Sequence, residues 1–212
     1  MELNVQLDAN EARVFGVLIE KALTTPDQYP LTINAATNGA NQKSNRDPVL
    51  SLSEDEVASA LERLRKKYLV RNVFPGNSRV EKYCHNGTDA LGLSSPQLAV
   101  LAELLMRGPQ TPGDLRARVS RMTPLNSLDD LMALLGPLME RGFVQRLAPA
   151  PGSRAERYVQ LVSPDLHPLD APAAAAREES SAGHDGLAAR VATLEAEVAQ
   201  LRAELQALAA KL

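Results

Sequence analysis

Ser53 to Tyr83 reads SEDEVASALERLRKKYLVRNVFPGNSRVEKY, and the fold turns on these residues. Ser53 with Glu56 three residues later has the form of a capping box, and Val57, Leu61, Leu64 and Tyr68 then recur at helical spacing along one face. Val70 to Phe74 is β-prone, Pro75-Gly76-Asn77 supplies turn chemistry, and Arg79 to Tyr83 returns as a second strand. Two helices precede this unit. Asp8 and Glu11 cap the first, whose Val14, Phe15, Leu18 and Ala22 form its apolar face as far as Thr24-Thr25-Pro26. Tyr29-Pro30-Leu31 is a short extended entry, Thr32 caps the second helix, and Asn38-Gly39 ends it ahead of the polar loop Asn41 to Pro48. Three helices and a hairpin in this order predict a winged helix-turn-helix.

The order recurs downstream. Ser95 with Pro96 opens a helix whose Leu98, Leu101, Ala102 and Leu105 are its buried face, and Gly108-Pro109 stops it. Thr111-Pro112 starts a short helix through Leu115 and Val119. Ser127 with Asp130 caps a third, carrying Leu128, Leu131, Leu135, Leu138 and Met139 up to Gly142; Gly136-Pro137 inside it predicts a kink or a split. Phe143 to Leu147 and Arg154 to Leu161 flank a turn around Pro149, Pro151 and Gly152. The strings GNSRVEKY from Gly76 and GSRAERY from Gly152 are close cognates, which supports a duplication. Beyond Ser163 the texture turns to Pro, Ala, Glu and Ser, too poor in apolar mass to fold. Then Leu187, Val191, Leu194, Val198, Leu201, Leu205, Leu208 and Leu212 alternate spacings of four and three, a coiled-coil seam that predicts a homodimer, the alternative being that this helix folds back onto its own modules.

The expected architecture is mainly α with small β-hairpins, an α+β chain. Winged-helix domain 1 spans 1–86, a hinge 87–93, domain 2 94–163, a flexible linker 164–186, and a coiled-coil helix 187–212. With 44% hydrophobic but only 3% aromatic residues and no Trp, the cores must be Leu, Val, Ile and Ala, which favours helix over sheet. Lys and Arg against Asp and Glu number 11 to 12 over residues 1–93, 8 to 6 over 94–163 and 4 to 8 over 164–212. Neither module carries the basic excess of a non-specific nucleic-acid binder, so any grip on DNA must be local. Cys84 is the only cysteine, which excludes an internal disulfide and a Cys-based zinc site within one chain. His85, His167 and His184 lack ligand spacing and read as solvent-exposed, so no metal and no cofactor is expected. The opening residues carry no signal segment and no run approaches membrane-spanning length, so the reading is cytoplasmic, with no membrane partner. There is no Gly-rich phosphate loop, no nucleophile with a His, and no acid pair outside helix starts; no catalytic residue and no enzyme is expected.

Four features together resemble a known family: TTPDQYPL from Thr24, NQKSNRDPV from Asn41, RGPQTPGDLR from Arg107, and the C-terminal heptads. The chain is similar, over essentially its whole length, to the YceH-like family of uncharacterised bacterial proteins. That resemblance implies tandem winged-helix domains in a bacterial cytoplasmic protein and brings no activity. One departure is Ala40, where the resemblance implies a cysteine; a thiol role there cannot operate in this chain.

Two classes of partner compete for the surface residues. Asn41, Gln42, Lys43, Ser44, Asn45 and Arg46 line up polar groups and two cations at the corner that, in a helix-turn-helix, approaches phosphate. The same groups also suit capping of the loop's own backbone, with Arg46 paired to Asp47 or Glu54, or a protein carboxylate. Ser59, Arg63 and Lys66 on the third helix, Arg79 and Lys82 on the first wing, Arg116 and Arg118 on the middle helix of the second module, and Arg154 and Arg157 on its wing are further contact candidates. Against groove insertion, the third helix opens with Glu54, Asp55 and Glu56, and its counterpart with Asp129 and Asp130. The reading is a non-enzymatic, transcription-regulator-like homodimer associated with double-stranded DNA. The alternative is a protein–protein interaction scaffold whose winged helices do not bind DNA.

Overall fold

The computed structural model of the protein describes residues 5–74, 76, 80–149 and 155–168. These belong to the first of two units in the chain, Met1–Leu169. The second, Asp170–Leu212, lies outside the described residues, and with it His184, the rest of the linker and the seam of Leu187, Val191, Leu194, Val198, Leu201, Leu205, Leu208 and Leu212.

The described residues form a mixed α and β architecture of seven α-helices and two antiparallel hairpins. Helix α1 (Ala9–Thr24) starts at the expected box, with Glu11 N–H donating to Asp8 Oδ1 and Asp8 N–H to Glu11 Oε2, both at 2.8 Å. A 3-10 turn (Pro26–Gln28) leads to α2 (Ile33–Ala40), capped by Thr32. Helix α3 (Glu54–Lys66) is capped by Ser53 and Glu56 as its sequence demands, and presents Val57, Ala60, Leu61 and Leu64 to the core. Tyr68 does not continue this buried stripe. It takes a positive φ of 60° and is 79% exposed, and Leu69 enters the core instead, its N–H closing back on Leu64 O at 3.0 Å.

Strands β1 (Val70–Val73) and β2 (Lys82–His85) pair antiparallel with Val70 opposite His85 and Val73 opposite Lys82. The return strand therefore sits further along than the expected 79–83. Its register is held from its other edge, where Leu31 and Tyr83 exchange both backbone hydrogen bonds at 3.1 and 2.7 Å. Residues expected to be a bare hinge contain a short helix, α4 (Gly87–Leu91), ended by Gly92 in the left-handed region.

The second run repeats this plan. Helix α5 (Ser95–Arg107) is capped by Ser94 with Gln97 rather than by Ser95, which becomes its first residue. Helix α6 (Pro112–Val119) follows its Thr111 cap, and α7 (Leu128–Glu140) its Ser127–Asp130 box. Pro137 does not split α7: it deprives only the Ala133 carbonyl of a partner, and Ala133 and Pro137 both lie on the exposed side, open to water. Leu128, expected among the buried residues, faces solvent, because the core side of α7 is taken by Leu131, Leu135 and Leu138. Strands β3 (Val144–Leu147) and β4 (Arg157–Gln160) pair antiparallel, and Gln110 bridges Tyr158 at 3.0 and 2.8 Å as Leu31 bridges Tyr83.

The two runs share one apolar core, because α1 packs against α5 as well as against α2 and α3. Every residue of α1 from Glu11 to Glu20 is buried in consequence. The contact is close at Gly16, where an added Cβ would stand 3.2 Å from Met106 Cγ, 3.4 Å from Leu105 Cβ and 3.5 Å from the Ala102 carbonyl. Residues flanking the two runs reinforce the seam. Leu7 N–H donates to Val162 O at 2.8 Å, and residues 164–168, expected to begin the linker, pack through buried Leu166 and His167. His167 was expected in solvent; its ring instead lies against Gly108, where φ is +69° and a Cβ would be 2.6 Å from His167 Cδ2. No helix among the described residues is long and apolar enough to cross a membrane.

A side chain larger than a methyl at residue 16 must push α1 and α5 apart. Gly16→Leu is expected to lower unfolding free energy by about 1–3 kcal/mol in chemical denaturation. Gly16→Ala, which Met106 can accommodate by a small rotation, should leave it nearly unchanged; equal stability of both variants would disprove the close seam.

Candidate functional site

The loop 41–48 is exposed along one side and anchored by buried charges on the other. Arg13, fully buried in α1, donates to Ala40 O at 3.3 Å and Pro48 O at 2.7 Å, gripping both ends of the loop. Burial pushes its pKa down to about 10, with the nearby Arg46 lowering it further and Asp47 opposing. Arg46 points inward. Its Nη2 meets Glu20 Oε2 at 2.6 Å, and its remaining donors reach Gly39 O at 3.0 Å and Asn45 O at 2.8 Å. Asn41 pairs both ways with the Leu52 backbone at 2.8 Å, a side-chain imitation of a strand pair. Asp47 N–H donates to Met106 O at 2.8 Å, and His167 Nε2 donates to Asp47 O at 2.7 Å. That bond fixes a proton on Nε2, while burial holds the imidazole pKa below its ordinary value against the opposing pull of Asp47.

The outer part of the loop forms one wall of a cleft of about 650 Å3. Gln42, Lys43, Ser44 and Asn45 face it from the loop, Lys21 from α1, and Arg121 from the turn after α6. Two carboxylates adjoin these groups. Glu20 is held by Arg46, and Glu103, 1% exposed in the middle of α5, takes Arg107 Nε at 3.2 Å with Arg121 Nη2 at 4.0 Å. Burial raises the Glu103 pKa, opposed by Arg107, Arg118 and Arg121. Burial likewise lowers that of Arg107, opposed by Glu103.

The outward faces of the third helices differ. On α3 the exposed residues run Glu54, Asp55, Glu56, Ser59, Glu62, Arg65 and Lys66. The cations at its end are largely engaged: Arg63 with Asp8 at 3.0 Å, Arg65 with Glu62 at 2.8 Å, and Lys67, just past the helix, with Glu11 at 2.6 Å. On α7 the exposed residues include Leu128, Met132, Ala133 and Pro137, bordered by Asp129, Asp130 and Glu140. No group of His, Cys, Asp or Glu among the described residues is arranged to hold a metal.

Residues 7–153 match the model of a family described as "Protein of unknown function, DUF480". The chain is 47% identical over 194 residues to a UPF0502 protein of Koribacter versatilis (strain Ellin345), covering 90% of this chain and 88% of that one. It is 44% identical over 217 residues to a UPF0502 protein of Enterobacter sp. (strain 638), covering 99% of each. The chain belongs to the DUF480/UPF0502 family. This is the family of uncharacterised bacterial proteins to which its polar strings and heptads bear their resemblance.

Within this UPF0502 chain the candidate contact residues separate by position. Gln42, Lys43, Ser44 and Asn45 are gathered at the cleft, whereas Asn41 is committed to Leu52. Arg46 requires correction: it is 5% exposed and its partner is Glu20, not Asp47 or Glu54, because α1 supplies the buried carboxylate. It has no free face for phosphate. Arg118 donates to Gln110 Oε1 at 2.7 Å, Lys82, Arg116 and Arg157 are half-buried, and Ser59 and Lys66 are exposed on α3. Arg79 and Arg154 lie outside the described residues. Sequence reasoning passed over Arg13, Glu20 and Glu103, and read the buried His167 as solvent-exposed. The available signal was a charge inside an apolar run, as in Glu103 within LAVLAELLM, which in a packed helix demands a buried counter-charge.

Removing one partner of the buried pair leaves an uncompensated charge. Arg46→Ala is expected to cost about 3–5 kcal/mol in urea denaturation, while Lys43→Ala, three residues away but exposed, leaves the unfolding midpoint unmoved. Equal midpoints for the two variants would contradict the anchoring role of Arg46.

Proposed function

We propose that this chain is a non-enzymatic protein of two tandem winged helix-turn-helix modules that docks another protein through the outward face of α7. We further propose that the leucine-lined segment 187–212 joins two copies as a homodimer. The winged-helix reading is supported by the order of helix, short bridge, two helices and hairpin, which occurs twice with matching bridges at Leu31–Tyr83 and Gln110–Tyr158.

One observation carries the docking reading. Leu128 and Met132 are 48% and 40% exposed on one side of α7, Ala133 and Pro137 are exposed beside them, and the helix contains no Lys or Arg. Such a face offers phosphates nothing, whereas covering it with apolar side chains gains about 25 cal/mol for each Å2 removed from water. Asp129, Asp130 and Glu140 border it. The occupant it fits is therefore a protein segment with apolar side chains flanked by Lys or Arg. The acidic start of α3, with Arg63, Arg65 and Lys67 engaged by carboxylates, favours protein over DNA there as well.

The full chain, crosslinked in its bacterial host and purified with and without nuclease treatment, is expected in both cases to retain a protein whose crosslinked segment carries Lys or Arg beside apolar residues. Leu128→Asp should abolish that retention without lowering the melting midpoint. Recovery of nucleic acid alone, or a partner indifferent to Leu128→Asp, would refute docking through α7. In sedimentation, the full chain is expected to run as a dimer and Leu194→Asp with Leu201→Asp as a monomer; a monomeric full chain would sink the pairing.

A further inference from the structure

The cleft between the 41–48 loop and the turn after α6 has a charge balance that the docking reading does not use. Lys21, Lys43 and Arg121 converge on it from three separate segments. Arg46 and Arg107 lie beside them, and the carboxylates that form ion pairs with this group are Glu20 and Glu103. Those two acids are matched by Arg46 at 2.6 Å and Arg107 at 3.2 Å, so the charges of Lys21, Lys43 and Arg121 have no full counterpart. Lys21 and Arg121 only approach the same acids, at 3.9 and 4.0 Å. Ser44 and the amides of Gln42 and Asn45 add neutral donors to the same wall.

We propose that this cleft binds a small organic phosphate bearing two or more negative charges. A single carboxylate would balance only one of the three converging cations. A phosphate, with several acceptor oxygens and close to two charges, matches Lys43 and Arg121 together with the hydroxyl and amide donors. The volume of about 650 Å3 exceeds what a bare phosphate fills and falls in the range of small-molecule sites, and Met122 gives an adjoining apolar contact for the organic part. Because Lys21 and Lys43 come from the first run of elements and Arg121 from the second, the bound anion bridges the two. Glu20 lines the cleft and is held from behind by the buried Arg46 that anchors the loop, so the donors are presented on a fixed backbone rather than ordered by the ligand. This inference is independent of the docking face on α7.

The test is calorimetric titration of the full chain with inorganic pyrophosphate and with ATP at about 150 mM salt, where exposed charges are screened beyond roughly 8 Å. Saturable binding of at least one of these is expected, with Kd raised about tenfold or more by Lys43→Glu and by Arg121→Glu. Both substituted side chains are exposed, so unchanged melting midpoints will show that the variants are folded. Absence of saturable heat with both probes, or binding that neither variant weakens, overturns the proposal. So does a short DNA duplex that binds in a Lys43-dependent manner when pyrophosphate and ATP do not.

Discussion

The close approach of α1 and α5 at Gly16 is the constraint on which the rest of this structure depends. With no Cβ at that position, the two helices pack within contact of Met106, Leu105 and the Ala102 carbonyl. An amphipathic helix normally buries one stripe. Here α1 has α2 and α3 on one side and α5 on the other, so it is buried all round from Glu11 to Glu20. What the chain lays out as two successive runs of elements becomes a shared core, closed by Leu7 on Val162 and His167 on Asp47.

Burying α1 completely has an electrostatic consequence, since Arg13 and Glu20 go into the interior with it. Each must find partners, because an unpaired buried charge costs several kcal/mol. The 41–48 loop supplies them: Arg46 answers Glu20, and the carbonyls of Ala40 and Pro48 answer Arg13. A loop rich in Asn, Ser and Lys is thereby held in one conformation without apolar anchors of its own. Its inner groups fix it, and its outer groups, Gln42 to Asn45, are left facing the cleft.

The two runs of elements use the same plan with different surfaces. Their bridges and hairpins correspond, yet α3 presents carboxylates outward and α7 presents Leu128 and Met132. Shared architecture therefore says little about shared ligands. The distinction lies in side chains that the fold does not need, because the core positions of each helix are already filled by Val57, Leu61 and Leu64 or by Leu131, Leu135 and Leu138.

Local signals were enough to find most of the elements, though not the short α4 or the 3-10 turn. Capping boxes at Asp8, Ser53 and Ser127, apolar spacing along α3 and α5, and turn residues between strands each act within a few residues, so the linear text contains them. Errors of reading arose where distant atoms decide. The β2 register is set by Leu31, the core place foreseen for Tyr68 goes to Leu69, and Pro137 is tolerated because Ala133 faces water. The candidate site was legible as a polar string but not as a division of labour. Whether Arg46 or Lys43 faces outward depends on Glu20, which is 26 residues from Arg46 and reaches it only once α1 is packed. Sequence alone determined where the main helices and the two hairpins fall, since caps and periodicity are short-range; tertiary structure alone decided which charges are buried and which remain for a ligand, since ion pairing depends on distance in space.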